Sequence, residues 1–161
     1  MFAVGDKVVY PAHGAGIIEA IVNRDFLGAQ REYYVLKMCF GDMRVSVPVE
    51  SVNNTGIRQI VDQVVVERVF SILVDEVNET EDNWSRRYRN NMEKIKSGDI
   101  HQVAEVVRNL MARLMSRGLS SGERKMLDYA RRVLISELML VRQESEDAVT
   151  EAIDALFAVE T

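Results

Sequence analysis

The stretch of this sequence best suited to chemistry with a partner is Asn83-Trp84-Ser85-Arg86-Arg87-Tyr88-Arg89. It holds the only tryptophan, follows an acidic run from Asp75 to Asn83, and places Arg86, Arg87 and Arg89 within the next five residues. A wide apolar ring beside cations can wedge between base steps in a minor groove while the cations hold adjacent phosphates. The competing reading packs Trp84 into a helical core with Tyr88 and Met92, at i, i+4 and i+8. A place at the start of a helix favours exposure. Further cations follow: Arg124-Lys125 in the first turn of a later helix, and Arg131-Arg132 two turns on. Positive charge at a helix N-terminus opposes the macrodipole unless an anion visits.

Other chemistry-bearing residues form no constellation. His13 falls in an expected turn and His101 in the first turn of a helix, with no serine, cysteine or carboxylate motif announcing a triad. Both read as exposed or structural histidines. Cys39 sits at a strand end beside Phe40 and reads as a small apolar filler rather than a nucleophile. No His, Cys, Asp or Glu spacing suits a metal, and no cofactor is expected. The run His13-Gly14-Ala15-Gly16 could pass for a phosphate loop. Such a loop should open a helix, and here a strand follows, so a structural turn is expected. Tyr10, Tyr33, Tyr34 and Phe40 could line an aromatic cage. Adjacent Tyr33 and Tyr34 point to opposite faces of a strand, however, and core packing is the simpler reading.

Charge is distributed unevenly. Residues 1–58 are balanced, residues 59–83 carry −6, residues 84–132 carry +7 and residues 133–161 carry −6, giving −5 for the chain of 161 residues. One basic block between two acidic ones suggests a local anion-binding face on a protein with little long-range pull toward nucleic acid. Composition is that of a soluble globular protein, with 47% apolar and 28% charged residues. No stretch approaches the length of a membrane helix. A single cysteine cannot staple the fold, and Asp6 and Lys7 come too early for a signal peptide, so a cytoplasmic location is expected.

These residues must be positioned by two kinds of element. Lys7–Tyr10, Ile17–Val22, Glu32–Met38 and Met43–Pro48 read as strands, with a turn over Ala12–Gly16, a hairpin connection over Asn23–Gln30 around Gly28 and a turn at Gly41-Asp42. Four or five short strands suggest a small antiparallel barrel or curled sheet. From Gln59 the period becomes helical. Ile60, Val64, Val65, Val69 and Leu73 mark one helix, and Trp84, Tyr88, Met92 and Ile95 a second. Gly98 and Asp99 read as a stop and an N-cap. Ile100, Val103, Val107, Leu110 and Leu114 form a third stripe, ended by Gly118. Ser120-Ser121-Gly122-Glu123 is a capping box opening a fourth helix through Leu127, Ala130, Leu134, Leu138 and Val141. Ala148, Ala152 and Leu156 mark a fifth. The expectation is an α+β chain with residues 1–58 as a β module and residues 59–161 as a helical domain.

In Phe2–Gly16, Tyr33-Tyr34-Val35-Leu36, Val47-Pro48-Val49 and Gly56-Ile57-Arg58 the first half carries a likeness to the CarD/CdnL transcription regulators. This part is also similar to the polymerase-interacting domain of the transcription-repair coupling factor. The second half carries it in Asn83–Tyr88, Ser97-Gly98-Asp99, Ala104–Arg108 and Gly118–Leu127. The resemblance implies a Tudor-like N-terminal barrel that docks on the β subunit of bacterial RNA polymerase. It also implies a helical domain that touches promoter DNA at the upstream edge of the transcription bubble. Trp84 matches the family's wedge, Arg86, Arg87 and Arg89 its basic positions, and Lys125 is a further contributor. On the polymerase side Arg24 and Phe26 match two family positions. Ser46 replaces a third, basic one, and Arg44, two residues earlier on the same strand face, could supply that charge.

The function so implied is a non-enzymatic regulator that stabilises the open promoter complex, as a monomer in the cytoplasm, associated with the nucleoid through polymerase. Sequence preference on DNA should be slight, since a wedge and phosphate contacts read shape more than bases. Two rivals are a self-sufficient DNA-binding repressor, which the pI of 5.1 disfavours, and an enzyme, for which no feature speaks.

Overall fold

The computed structural model describes residues 1–11, 13–78 and 81–158, with Phe26 described by its backbone alone. Strand β1 (Lys7–Tyr10) stops at Pro11, which has no N–H for a ladder, and β2 (Gly14–Phe26) returns antiparallel to it. Gly14, Ala15 and Gly16 therefore belong to β2, not to the turn expected there. Gly14 has φ 98°, and a Cβ on it would stand 2.8 Å from Ser136 Oγ; one on Gly16 would stand 2.7 Å from the Lys37 carbonyl. The glycines serve close packing rather than phosphate binding.

Strand β3 (Ala29–Met38) follows after Leu27-Gly28 alone, both at positive φ (51° and 81°). That mirror-type turn matches the twist of the flanking strands. The connection expected over Asn23–Gln30 is thus two residues long, because leucine in a left-handed position hides the turn. A bulge between Ile18 and Ala20 bends β2. Strand β4 (Arg44–Pro48) pairs with β3. A single 3-10 turn and the short helix α1 (Val52–Thr55) then lead to β5 (Arg58–Gln59), which pairs with β1. The result is a five-stranded antiparallel Tudor-like sheet in the order β4-β3-β2-β1-β5. Its core is Val8, Ile18, Tyr34, Leu36, Met38, Val47 and Ile57. Tyr34 is buried and Tyr33 half-buried on the opposite face, so the strand alternation holds and the tyrosines form no cage.

Helix α2 (Gln63–Val74) is capped by Asp62, which accepts from the Val65 N–H. The helical period begins four residues later than expected, since Arg58–Gln59 complete the sheet. Its inward face is Val66, Val69, Ile72 and Leu73; Val64 is exposed. Helix α3 (Trp84–Lys96) is capped by Asn83. Gly98, at φ 78°, and Asp99 separate it from α4 (Ile100–Ser116) in the expected roles. Helix α5 (Ser121–Arg142) opens on Ser120, which accepts from the Glu123 N–H at 3.2 Å. The carboxylate of Glu123 does not complete the capping box, because it turns to Arg87 instead. Helix α6 (Glu146–Leu156) buries Val149 and Ile153, one position beyond the expected Ala148 and Ala152. These five helices share one apolar core centred on Val69, Val107, Leu110, Leu134 and Leu138.

Helix α5 packs on β2 and joins sheet to helices by polar contacts. Ser136 Oγ accepts from the Ala15 N–H at 2.8 Å. The Arg58 guanidinium meets Glu137 through two hydrogen bonds of 2.7 and 2.8 Å, and its Nε donates to the Gly98 carbonyl at 2.6 Å. Glu137 also accepts from the Val61 N–H at 2.9 Å, and Tyr129 donates to the Pro11 carbonyl at 3.1 Å.

Candidate nucleic-acid interface

Trp84 stands at the first position of α3 and is 45% exposed. Its ring stacks on Tyr88, with centroids 5.2 Å apart and planes 25° from parallel. Its Nε1 donates to Ser120 Oγ at 3.1 Å. A Cβ at Gly122 would lie 3.5 Å from the indole Cζ2, so the first turn of α5 lies against the ring. The indole is neither enclosed in the core nor loose: one neighbour stacks on it and another fixes its edge. Stacking of this kind stabilises by about 0.5–1.5 kcal/mol beyond area burial, which holds the ring in one pose.

The three arginines that follow separate. Arg86 and Arg89 are exposed, three residues apart and so on one helix face. Arg87 is 3% exposed, which corrects its assignment to a DNA contact. Its Nε and Nη2 meet the Glu123 carboxylate at 3.0 and 3.3 Å, and its Nη1 donates to the carbonyls of Glu81 and Asp82 at 3.3 and 3.4 Å. Burial favours the protonated form of Glu123. The hydrogen bond and charge of Arg87, with Arg113 and Ser120 assisting, outweigh it and hold the carboxyl below its ordinary value. Arg87 is thus a bolt between α3 and α5 rather than a surface cation. Lys125 and Arg124 are exposed in the first turn of α5, one turn beyond the serine that holds the indole.

On the sheet, Arg24 is exposed, with its guanidinium over the Tyr33 ring at 5.7 Å. Phe26 ends β2, and its side chain lies outside the described residues. Ser46 is exposed. Arg44, on the same strand face, is held bidentate by Glu19 at 2.7 and 2.9 Å, so part of its charge is answered locally. The Cys39 thiol donates to the Ser136 carbonyl at 3.6 Å, and burial pushes it up to about 11, which suits a filler. His13 lies edge-on to Tyr10, and His101 bonds to its own helix cap, Asp99, at 2.9 Å. Among the described residues no cluster of His, Cys, Asp and Glu could hold a metal ion, and no helix is long and apolar enough to cross a membrane.

Sequence reasoning missed the polar residues that fix this geometry. Ser136 and Glu137 sit inside the apolar run Val133–Leu140 of α5, and a charged residue in such a run is the available signal. Arg87, Asn91 and Ile95 form the buried line of α3. The same helical spacing that marked Trp84, Tyr88 and Met92 as a face could have marked this neighbouring one.

Two domain families match the chain in order. Residues 2–61 match the CarD-like/TRCF RID domain, and residues 68–154 match the CarD C-terminal domain. A curated relative, "Putative transcription factor YdeB" of Bacillus subtilis (strain 168), is 39% identical over 149 residues, covering 92% of this chain and 97% of that protein. Both halves of the molecule thus carry the likeness, in one order and over nearly the whole length, and the chain belongs to the CarD family of transcription factors.

Proposed function

We propose that this protein regulates transcription initiation by docking its sheet on the β subunit of RNA polymerase and holding Trp84 at the upstream edge of the promoter bubble. The observation that carries the reading is the half-exposed, oriented indole at the first position of α3, with Arg86 and Arg89 exposed on the same helix and Lys125 exposed in the first turn of α5, whose N-cap Ser120 holds the ring. Val4, Ile17, Ile21, Leu27 and Met43 are exposed apolar residues of the sheet module, and β4 and β5 are its edges. An open strand edge suits docking by strand addition, with main-chain hydrogen bonds setting the pose, and exposed apolar side chains of the same module can add to that contact. Arg24, Phe26, Arg44 and Ser46 are proposed to lie in that contact.

A protein with a net charge of −5 and only a few exposed cations on the helices that carry its wedge releases few counterions, so its binding to free DNA is weak. Tethering to polymerase raises the effective concentration of the face at the promoter. Unstacking a base step costs a few kcal/mol. A ring already held in one orientation offsets part of that cost in the open state and contributes nothing in the closed one. A differential of ~1.4 kcal/mol shifts the equilibrium tenfold. A pull-down with purified β subunit tests the docking. Capture at micromolar concentration is expected, with no comparable affinity for promoter DNA alone. Tight DNA binding without polymerase, and no capture by β, would instead support a self-sufficient repressor.

A further inference from the structure

Behind the Arg87–Glu123 bolt, α3, α4 and the segment that precedes α3 line an open cavity of about 270 Å³, bounded among others by Val77, Arg87, Asn91, Leu110, Arg113 and Arg117. Asn91 is 1% exposed, and neither its Nδ2 nor its Oδ1 has a hydrogen-bond partner among the described residues. The Arg113 Nε is likewise buried and unpaired. Ser116 and Arg117 also line the cavity and are exposed, so they form its rim. No carboxylate lines it among the described residues; Glu123 is engaged by Arg87.

A buried carboxamide with both polar atoms unpaired is a liability for stability, and an apolar side chain of similar size would relieve it. Its chemistry fits an edge that donates and accepts side by side, as an adenine edge does. A guanidinium fork fits an oxyanion, preferably a phosphate. The volume lies near the lower end of ligand pockets, roughly 300–1,000 Å³, and the lining mixes apolar side chains with a few convergent polar groups.

We propose that this cavity binds a small phosphorylated molecule bearing an amide-like edge, of nucleoside monophosphate size. Its phosphate lies at Arg113 and Arg117 near the rim, and its edge meets Asn91. The site is independent of polymerase docking. It stands one ion pair away from Trp84, because Glu123, the partner of Arg87, is also within 3.4 Å of Ser120 Oγ.

Isothermal titration of the purified chain with AMP, GMP, adenosine and inorganic phosphate tests this. AMP or GMP is expected to bind at one equivalent, at least tenfold more tightly than adenosine or phosphate. Arg117→Gln, on the exposed rim, weakens that binding about tenfold without changing the melting temperature. Asn91→Leu abolishes it while raising the melting temperature of the unliganded chain by ~2–6 °C. If Asn91→Leu fails to fold, Arg117→Gln still decides the outcome. The proposal is overturned if neither nucleotide binds saturably, if phosphate alone binds as tightly, or if binding survives Arg117→Gln unchanged.

Discussion

The indole Nε1 of Trp84 donates to the hydroxyl of Ser120, and that same hydroxyl caps α5 by accepting from the Glu123 N–H. One side chain therefore fixes both the orientation of the ring and the start of the helix that carries Lys125. Ser120→Ala is expected to cost about 1 kcal/mol as a lost N-cap, read by chemical denaturation. It should also free the ring to rotate, which the anisotropy of its fluorescence reports directly. Unchanged anisotropy would mean that stacking on Tyr88 alone orients the indole.

The arginines after Trp84 differ in kind, and single substitutions separate them. Arg87→Ala leaves the Glu123 carboxylate buried without its main counter-charge and is expected to destabilise the fold by about 3–5 kcal/mol. Arg86→Ala and Arg89→Ala lie on the solvent face and should change stability by less than about 0.5 kcal/mol. Their effect belongs to promoter complexes with polymerase, where each lost phosphate contact lowers the salt dependence by about one counterion. Equal destabilisation by all three would contradict the burial of Arg87.

Arg58 and Glu137 join the sheet to α5, with Glu137 buried and Arg58 partly so. Glu137→Ala is expected to cost about 3–5 kcal/mol, since it leaves the guanidinium with carbonyl partners but no counter-charge and the Val61 N–H without its acceptor. A double-mutant cycle with Arg58→Ala should return a coupling above about 1 kcal/mol. Additive losses would mean that this ion pair does not couple the two modules.

The fold was legible where periodicity is strong. The strand over Glu32–Met38, the alternation at Met43–Pro48 and the stripe from Ile100 to Leu110 read directly from residue type and spacing, as did the caps at Asp99 and Ser120. The hairpin around Gly28 was legible too, but not its two-residue length, because Leu27 carries no turn signature. The start of α2 was misplaced because Arg58–Gln59 pair with a strand about fifty residues earlier, a contact no local window contains. For the same reason the site was only half legible. Trp84, Arg86 and Lys125 announced themselves by type. The separation of Arg87 from its neighbours depended on Glu123, which the capping pattern had assigned to its own helix. Gly14 and Gly16 looked like a loop, although Ser136 on a helix more than a hundred residues away explains the first of them.

Glu123 sets a pH dependence. Its folded pKa lies below the ordinary carboxylate value of about 4.3. The ion pair therefore contributes its stability above that ordinary value and loses it as pH falls through the lower, folded value. Melting temperatures from pH 6 to pH 2.5 should show the wild-type advantage over Glu123→Gln shrinking through this window. An advantage that stays constant to pH 2.5 would show that the carboxylate is not the group responsible.

The lifetime of polymerase–promoter open complexes, measured by competitor challenge with wild-type protein and with Trp84→Ala, bears most directly on the proposed role of the indole. Trp84→Ala removes a half-exposed side chain, so the variant should fold and still be captured by the β subunit. Open complexes are expected to decay about tenfold faster with it than with the wild type, and lifetimes equal to wild type at saturating protein would contradict the wedge.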